Sequence, residues 1–254
     1  MKIVRRIDEL RLAGDIGLVP TMGALHDGHV ALFRAAREES EFVVASLFVN
    51  PAQFGERADL AAYPRDLQRD AEIAAEAGVD VLFAPSAEEL YPAGFATWVE
   101  PDETGAEGAA RPGHFRGVAT VCLKLFNIVR PRRAYFGRKD AQQVAVIRRL
   151  VRDLNLDLEI RVVPIVRDAD GLALSSRNAR LSPAERERAL ALPRALRAGV
   201  GAVDPVAAAR AALNGLDPDY VEVVDLGDAT VLAAAVRVGE TRLIDNVLLE
   251  GELR

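Results

Sequence analysis

The stretch that decides the fold is Leu18-Val19-Pro20-Thr21-Met22-Gly23-Ala24-Leu25-His26-Asp27-Gly28-His29. The apolar run from Ile16 to Val19 reads as a buried strand. It breaks at Pro20 and Gly23, turns at Asp27-Gly28 and enters an amphipathic segment from Val30 to Glu39. Strand, glycine-bearing loop and helix start together present backbone N–H groups and a positive helix end to a phosphate. The chain has 3 histidines, and two of them, His26 and His29, fall at that helix start. Imidazole N–H groups there suit phosphate oxygens and the charge that builds as pyrophosphate departs. The plainer alternative is a surface turn whose histidines cap a helix. A zinc site is disfavoured, because no third ligand is apparent and H-E-x-x-H is absent.

Outward from this stretch the pattern alternates. A short helix is expected over Ile7 to Ala13, and the strand Phe42 to Val49 makes a strand–helix–strand unit with a right-handed crossover. Asn50-Pro51 ends that strand and opens a loop from Ala52 to Pro64. A helix then runs from Asp66 to Ala77 and a strand from Val79 to Ala84. Residues 85–116 read as irregular, a loop length that is usually functional or mobile. Within it, Arg111-Pro112-Gly113-His114-Phe115-Arg116-Gly117 suggests a mobile flap bearing the third histidine. A helix from Gly117 to Val129, a strand from Arg133 to Phe136, a helix ending at Leu154 and a strand from Leu158 to Val166 follow. The expected architecture is α/β: a Rossmann-like doubly wound parallel sheet with sites at the carboxyl ends of its strands. Ser182-Pro183-Ala184-Glu185 is a strong helix start. Two Ala/Arg-rich helices and strands at Tyr220 to Asp225 and Leu243 to Leu249 then suggest a smaller C-terminal α+β domain. The boundary is placed between 173 and 174, with a hinge near 170–182.

Composition narrows the function. Net charge is −6 over 254 residues with acids and bases interspersed, so no nucleic-acid surface is indicated. Arg130, Arg132 and Arg133 read as a solvated helix end. The single cysteine, Cys122, excludes an internal disulfide, suits a reducing cytoplasm and sits in an apolar run that implies inert packing. The first residues carry Arg5, Arg6, Asp8 and Glu9, so no signal peptide is expected. The apolar run Val231 to Val236 is too short to span a membrane.

Three further loops follow strands. Gln53, in Asn50-Pro51-Ala52-Gln53-Phe54, has an amide suited to a hydroxyl and a carboxylate; the alternative is a surface Gln beside a buried Phe54. In Gly137-Arg138-Lys139-Asp140-Ala141-Gln142-Gln143, Lys139 is a compact charge in a chain whose 32 basic residues include only Lys2, Lys124 and Lys139 as lysines. Asp140 can N-cap the next helix or meet a ribose or metal. Leu174-Ser175-Ser176-Arg177-Asn178 offers hydroxyls and a charge clamp, a loop able to lie over a triphosphate. A serine nucleophile is weakly supported, since G-x-S-x-G is absent. Asp66 and Asp70, four apart, read as solvated carboxylates, with a Mg²⁺ role for Asp70 as the minority alternative.

Taken in colinear order, these stretches resemble the pantothenate synthetase (pantoate–β-alanine ligase) family. Tyr63-Pro64-Arg65, Arg111-Pro112-Gly113-His114-Phe115 and Thr241-Arg242-Leu243-Ile244-Asp245-Asn246 also carry the likeness. The resemblance implies a homodimer using Mg·ATP, pantoate and β-alanine, with a C-terminal domain that closes over the ATP site. Met22, Gly23, Ala24, Leu25, His26, Asp27, Gly28, His29, Gly137, Arg138, Lys139, Asp140, Val166, Leu174, Ser175, Ser176 and Arg177 would contact ATP. Gln53 and Gln143 would hold pantoate, with Gln53 near β-alanine. His26, His29, Lys139, Ser175, Ser176, Arg177 and Mg²⁺ would neutralise charge, and His29 falls where the family pattern has a proton donor. Arg138 stands where the resemblance implies an acid, which suggests a side chain facing solvent. Two other classes stay open to the residues alone: an H-x-G-H nucleotidylyltransferase of another small substrate, and a non-catalytic adenine-nucleotide sensor. An aminoacyl-tRNA synthetase is disfavoured by the acidic surface.

Overall fold

The computed structural model describes residues 1–55 and 60–253. Six parallel strands form one sheet: β1 (Lys2–Val4), β2 (Ile16–Thr21), β3 (Phe42–Leu47), β4 (Val81–Phe83), β5 (Arg133–Gly137) and β6 (Glu159–Val163), in the order β1-β4-β3-β2-β5-β6. Among the described residues the first half adds helices α1 (Asp27–Glu39), α2 (Leu67–Glu76), α3 (Ala87–Leu90), α4 (Ala106–Ala110), α5 (His114–Val129) and α6 (Ala141–Asp153). Successive strand residues point to opposite faces. Val19, Val43, Ala45 and Tyr135 pack with Phe33, Ala36 and Ala74 from α1 and α2. Leu18, Val44, Ala134 and Phe136 pack with Phe115, Val118, Val144 and Ile147 from α5 and α6. Both faces are covered, which is why these strands read as continuous apolar runs rather than alternating ones.

The strand order explains where a ligand must go. From β2 the chain moves outward through β3 to β4, then returns so that β5 pairs on the other side of β2. The crevice beyond the carboxyl ends of β2 and β5 is therefore the point where the winding reverses. The His26–His29 segment leaves β2 there and the Lys139 turn leaves β5.

Several expectations need correcting. Strand β2 does not stop before Pro20: it runs through Pro20 and Thr21, paired with Ser46 and Leu47. The ladder from β2 to β5 has ended at Leu18, so the proline ring deprives no neighbour of a bond. The helix expected over Ile7 to Ala13 is a single 3₁₀ turn, Ile7–Glu9, preceded by the unforeseen edge strand β1. Residues 85–116 contain α3 and α4, and α5 begins at His114. The loop expected over Ala52 to Pro64 includes 56–59, which lie outside the described residues.

The C-terminal part is a three-stranded antiparallel sheet, β7 (Pro218–Asp225), β8 (Ala229–Val238) and β9 (Thr241–Gly251), with helices α7 (Pro183–Ala189), α8 (Ala191–Gly199) and α9 (Pro205–Ala212). The capping box at Ser182 and Glu185 is formed as expected, but three helices follow, not two. Leu232, Ala234 and Val236 face Leu192, Leu196 and Leu213. Val231 joins the core of the large sheet, and Ala235 meets Ala106 of α4. The small sheet is thus buried on both sides and docked on the larger unit. No helix among the described residues is long and apolar enough to cross a membrane.

Candidate active site

The carboxyl end of β2 is held open by a buried acid. Gly23 and Ala24 take left-handed backbone conformations, with φ of 85° and 52°. The exposed amides this creates are met by Asp70 of α2, which is only 2% exposed. Its Oδ2 accepts from the Ala24 N–H at 2.9 Å and its Oδ1 from the Leu25 N–H at 2.8 Å. Asp70 is therefore not a solvated surface carboxylate: both oxygens brace the loop. Asp66, one turn earlier, caps α2 through the Arg69 N–H. Among the described residues no three His, Cys, Asp or Glu side chains gather as a metal cage.

The histidines cap α1 and line the cavity at once, so the two readings of the turn are not alternatives. His26 Nδ1 accepts from the Gly28 N–H at 3.1 Å, and His29 Nδ1 accepts from the His26 N–H at 3.2 Å. Their ring centroids are 4.2 Å apart. A ring nitrogen that accepts from an amide carries no proton, so each neutral ring keeps its proton on Nε2. Burial, then the Lys139 charge, lowers His26 to about 4. Burial, then His26 and Lys139, lowers His29 to about 3. At neutral pH both rings are uncharged Nε2–H donors. Two of the amides expected to face a phosphate, those of His26 and Gly28, are spent on the imidazoles.

Across the crevice, Gln53 ends a 3₁₀ turn begun by Asn50-Pro51. It is buried, the reverse of a surface glutamine, while Phe54 is only half-buried. Asn50 Nδ2 donates to Gln53 Oε1 at 3.0 Å and to the Gly117 carbonyl at 3.0 Å; Gln53 Nε2 lies 3.1 Å from Met22 Sδ. His114 is not on a flap. It is the buried first residue of α5, with Nδ1 3.0 Å from the Gln53 carbonyl and Nε2 3.3 Å from Arg111 Nη1. Since a carbonyl only accepts and a guanidinium only donates, Nδ1 holds the proton. Burial, then Arg111, lowers His114 to about 4.

Lys139 follows β5 in a 3₁₀ turn, with Nζ 3.4 Å from Asp140 Oδ1. Asp140 occupies the N-cap of α6, yet its side chain makes no cap hydrogen bond. From the last loop, Leu174 N–H donates to the Val166 carbonyl at 3.0 Å, closing a hairpin that delivers Ser175, Ser176 and Arg177. Ser175 Oγ accepts from the Arg177 N–H. Arg138 does not face solvent: it is half-buried, its Nε is shielded without a hydrogen-bond partner, and burial with the nearby Arg167 lowers its pKa. Arg133, by contrast, is paired to Asp15 at 3.0 Å rather than part of a solvated helix end.

One cavity of about 230 Å³ collects these groups. Met22, His26, Gly28, His29, Gln53, Gly137, Lys139, Asp140, Gln143, Val166 and Leu174 through Arg177 all line it. Gly23, Ala24, Leu25, Asp27 and Arg138 do not; the first three form the turn behind the lining, held by Asp70. Cys122 contributes to the cavity wall, and burial pushes its thiol up to about 12, so it is inert. Asn50, Arg111 and Asn246 entered the sequence reading only as members of quoted motifs, with no role of their own, and Glu107 did not enter it at all. Asn50 carried a signal, an N-cap residue before Pro at a strand end.

Neutral and cationic donors at the switch point of a parallel sheet define an α/β enzyme that handles a nucleoside triphosphate. The model of the pantoate–β-alanine ligase family matches residues 1–248. A pantothenate synthetase of Citrifermentans bemidjiense is 54% identical over 93% of this chain and 92% of its own length. One from Roseiflexus castenholzii is 51% identical over 98% and 100%. The solved pantothenate synthetase of Thermus thermophilus superposes with a TM-score of 0.93 at 47% identity, covering 98% of this chain and 99% of that one. The Francisella tularensis pantoate–β-alanine ligase, complexed with beta-gamma ATP and β-alanine, gives 0.87 at 38% identity, covering 99% of each chain. The chain belongs to the pantoate–β-alanine ligase family, and its activity is that of an ATP-dependent ligase.

Proposed function

We propose that this chain condenses (R)-pantoate with β-alanine, converting ATP to AMP and pyrophosphate through a pantoyl-adenylate intermediate. The observation that carries this reading is the convergence of His26, His29, Lys139 and Arg177 with Gln53 and Gln143 on one cavity. Pantoate's carboxylate is already ionised at neutral pH and needs no general base. One of its oxygens bonds to the α-phosphorus as the bridge to the β-phosphate breaks. The enzyme's task is alignment and neutralisation of the charge on the departing pyrophosphate. Lys139 and Arg177 supply formal charge, and Ser175 and Ser176 supply hydroxyls. His26 and His29, uncharged at neutral pH, supply fixed Nε2–H donors. His29 falls where the resemblance has a proton donor; burial, then His26 and Lys139, lowers its ring to about 3, so the neutral ring presents an Nε2–H bond to the phosphates. Gln53 and Gln143 orient pantoate. The unprotonated amine of β-alanine then attacks the acyl carbon; the C–N bond forms, the C–O bond to phosphate breaks, and AMP leaves.

Among the described residues no three His, Cys, Asp or Glu side chains gather as a metal cage, and each Asp70 oxygen already accepts from an amide. Mg²⁺ belongs instead to the substrate, Mg·ATP. We further propose a lid formed by 174–254 hinged near 170–182, a homodimeric assembly and a cytoplasmic setting, in line with the family resemblance and the single unpaired thiol.

The test is pyrophosphate release from ATP and pantoate, with and without β-alanine. Pyrophosphate should appear without β-alanine, and AMP turnover should need both. Lys139→Ala and His29→Ala should fold yet lose about 10²–10³ in adenylation rate, by comparison with removal of one transition-state donor. Near-full turnover in either variant refutes its role. A stable nucleotide-linked product would favour a nucleotidylyltransferase, and binding without pyrophosphate release a sensor.

A further inference from the structure

Asp245 and Asn246 lie side by side on β9, are 2% and 3% exposed, and belong to the small sheet rather than to the sheet that carries the site. Each reaches out of its own unit to a different loop of the cavity. Asn246 Nδ2 donates to the Arg138 carbonyl at 3.0 Å and to the Lys139 carbonyl at 2.8 Å. Both partners can only accept, which sets the orientation of the amide. Asp245 receives Arg167 through two bonds, Nη1 to Oδ2 at 2.7 Å and Nη2 to Oδ1 at 2.9 Å, and its Oδ1 also takes the Asn246 N–H at 2.8 Å. Arg167 in turn donates to the Gly171 carbonyl at 3.1 Å, inside the hairpin whose far arm runs on into Ser175, Ser176 and Arg177. The Asp140 side chain, at the N-cap of α6, makes no cap hydrogen bond that would fix the Lys139 turn.

We propose that Asp245 and Asn246 are positioning residues for adenylation, and that Asn246 acts through Lys139. One dipeptide of the small sheet sets the backbone of the lysine turn and the base of the serine–arginine loop together. The ammonium and the hydroxyl–guanidinium group are thereby brought to a common register over the phosphates. This inference rests on the reading of Lys139 as a phosphate-binding residue. Removing the Asn246 amide takes this donor from two part-buried carbonyls and lets the turn shift, and a shift of about 1 Å at a reacting centre costs on the order of 10²-fold in rate.

A double-mutant cycle on the full chain tests it, with the two half-reactions measured apart. Asn246→Ala should slow pyrophosphate release from ATP and pantoate by roughly 10–100-fold, by that same positional argument. KM for pantoate and the attack of β-alanine on supplied pantoyl adenylate should stay near wild type, because pyrophosphate has already left by then. Asn246→Ser, which keeps one hydroxyl donor, should fall between the two and covers the case where Ala does not fold. In a Lys139→Ala background Asn246→Ala should add nothing further. Equal losses in both half-reactions, a multiplicative loss in the double variant, or a wild-type rate in Asn246→Ala beside an impaired Lys139→Ala would each overturn this inference alone. An active Lys139→Ala would overturn the reading beneath it as well.

Discussion

Glu107 offers the sharpest energetic test of how the two sheets are joined. It sits on α4 at 6% exposure. Arg242 of β9 grips it with two bonds, Nη1 to Oε1 at 2.8 Å and Nη2 to Oε2 at 2.9 Å; the Tyr220 hydroxyl adds one at 3.1 Å and Arg111 another at 3.1 Å. Burial alone would raise this carboxyl, but the bonds and charges of Arg242 and Arg111 outweigh it and leave the group at about 2, against an ordinary 4.5. At ~1.36 kcal/mol per pKa unit the ionised carboxylate contributes about 3 kcal/mol to folding. The folded value lies below the unfolded one, so this contribution is complete above pH 4.5 and disappears as pH falls through about 2. About half remains at pH 3. Glu107→Gln keeps the shape and removes the charge. Urea unfolding of both proteins, followed by circular dichroism, should show a deficit of about 3 kcal/mol at pH 7 that falls by about half at pH 3. An equal deficit at both pH values would mean lost packing rather than lost charge, and no deficit would mean that the ion pairs only balance their desolvation. Either refutes the argument.

Gly117 of α5 lies so close to the turn carrying Gln53 that a Cβ would sit 2.5 Å from the Ala52 carbonyl oxygen and 2.7 Å from Gln53 Cα. Gly117→Ala should therefore raise KM for pantoate, roughly tenfold or more for a displaced amide, with KM for ATP little changed in steady-state assays. Asp70→Ala should leave two amides unsatisfied, cost about 2–4 kcal/mol in urea unfolding and weaken ATP binding at every Mg²⁺ concentration. Recovery of binding at high Mg²⁺ would instead make Asp70 a metal ligand.

Much of this was legible in the sequence, and the reasons it was not elsewhere are physical. The runs at Ile16 to Val19, Phe42 to Val49 and Arg133 to Phe136 are buried on both faces, so they announce central parallel strands. Strand β8 is also buried on both faces, but its Ala-rich run resembles helix composition and shows no alternation. Strand β1 spans three residues, too few for any period to register. The loop residues Gln53, Lys139, Ser175 and Ser176 stood out because residue types scarce in this chain fell in loops expected after strands. Asp70 misled because spacing from Asp66 says which residues share a helix face, not which way that face looks. Glu107, Arg111 and His114 sat in a stretch that reads as irregular, and the order at Glu107 comes from partners more than a hundred residues away.

Such distant partners bear on how the site is completed. The parallel sheet positions the histidines and Lys139 at the reversal point by topology, but topology does not orient a short turn. Three residues of β9 reach across from the small sheet: Arg242 to Glu107, Asp245 to Arg167 and Asn246 to the Lys139 turn. Glu107 in turn binds Arg111, whose Nη2 donates to the Gln53 carbonyl at 3.3 Å, so the contact reaches the Gln53 side of the cavity as well as the Lys139 side. Any outward swing of the 174–254 unit that separated the sheets would break all three contacts at once, releasing the lysine turn, the serine–arginine loop and the support beneath Gln53. If the 174–254 unit opens as proposed, closure and readiness for adenylation would be a single event, and the open enzyme would lack the geometry to spend ATP when the cavity is exposed to water.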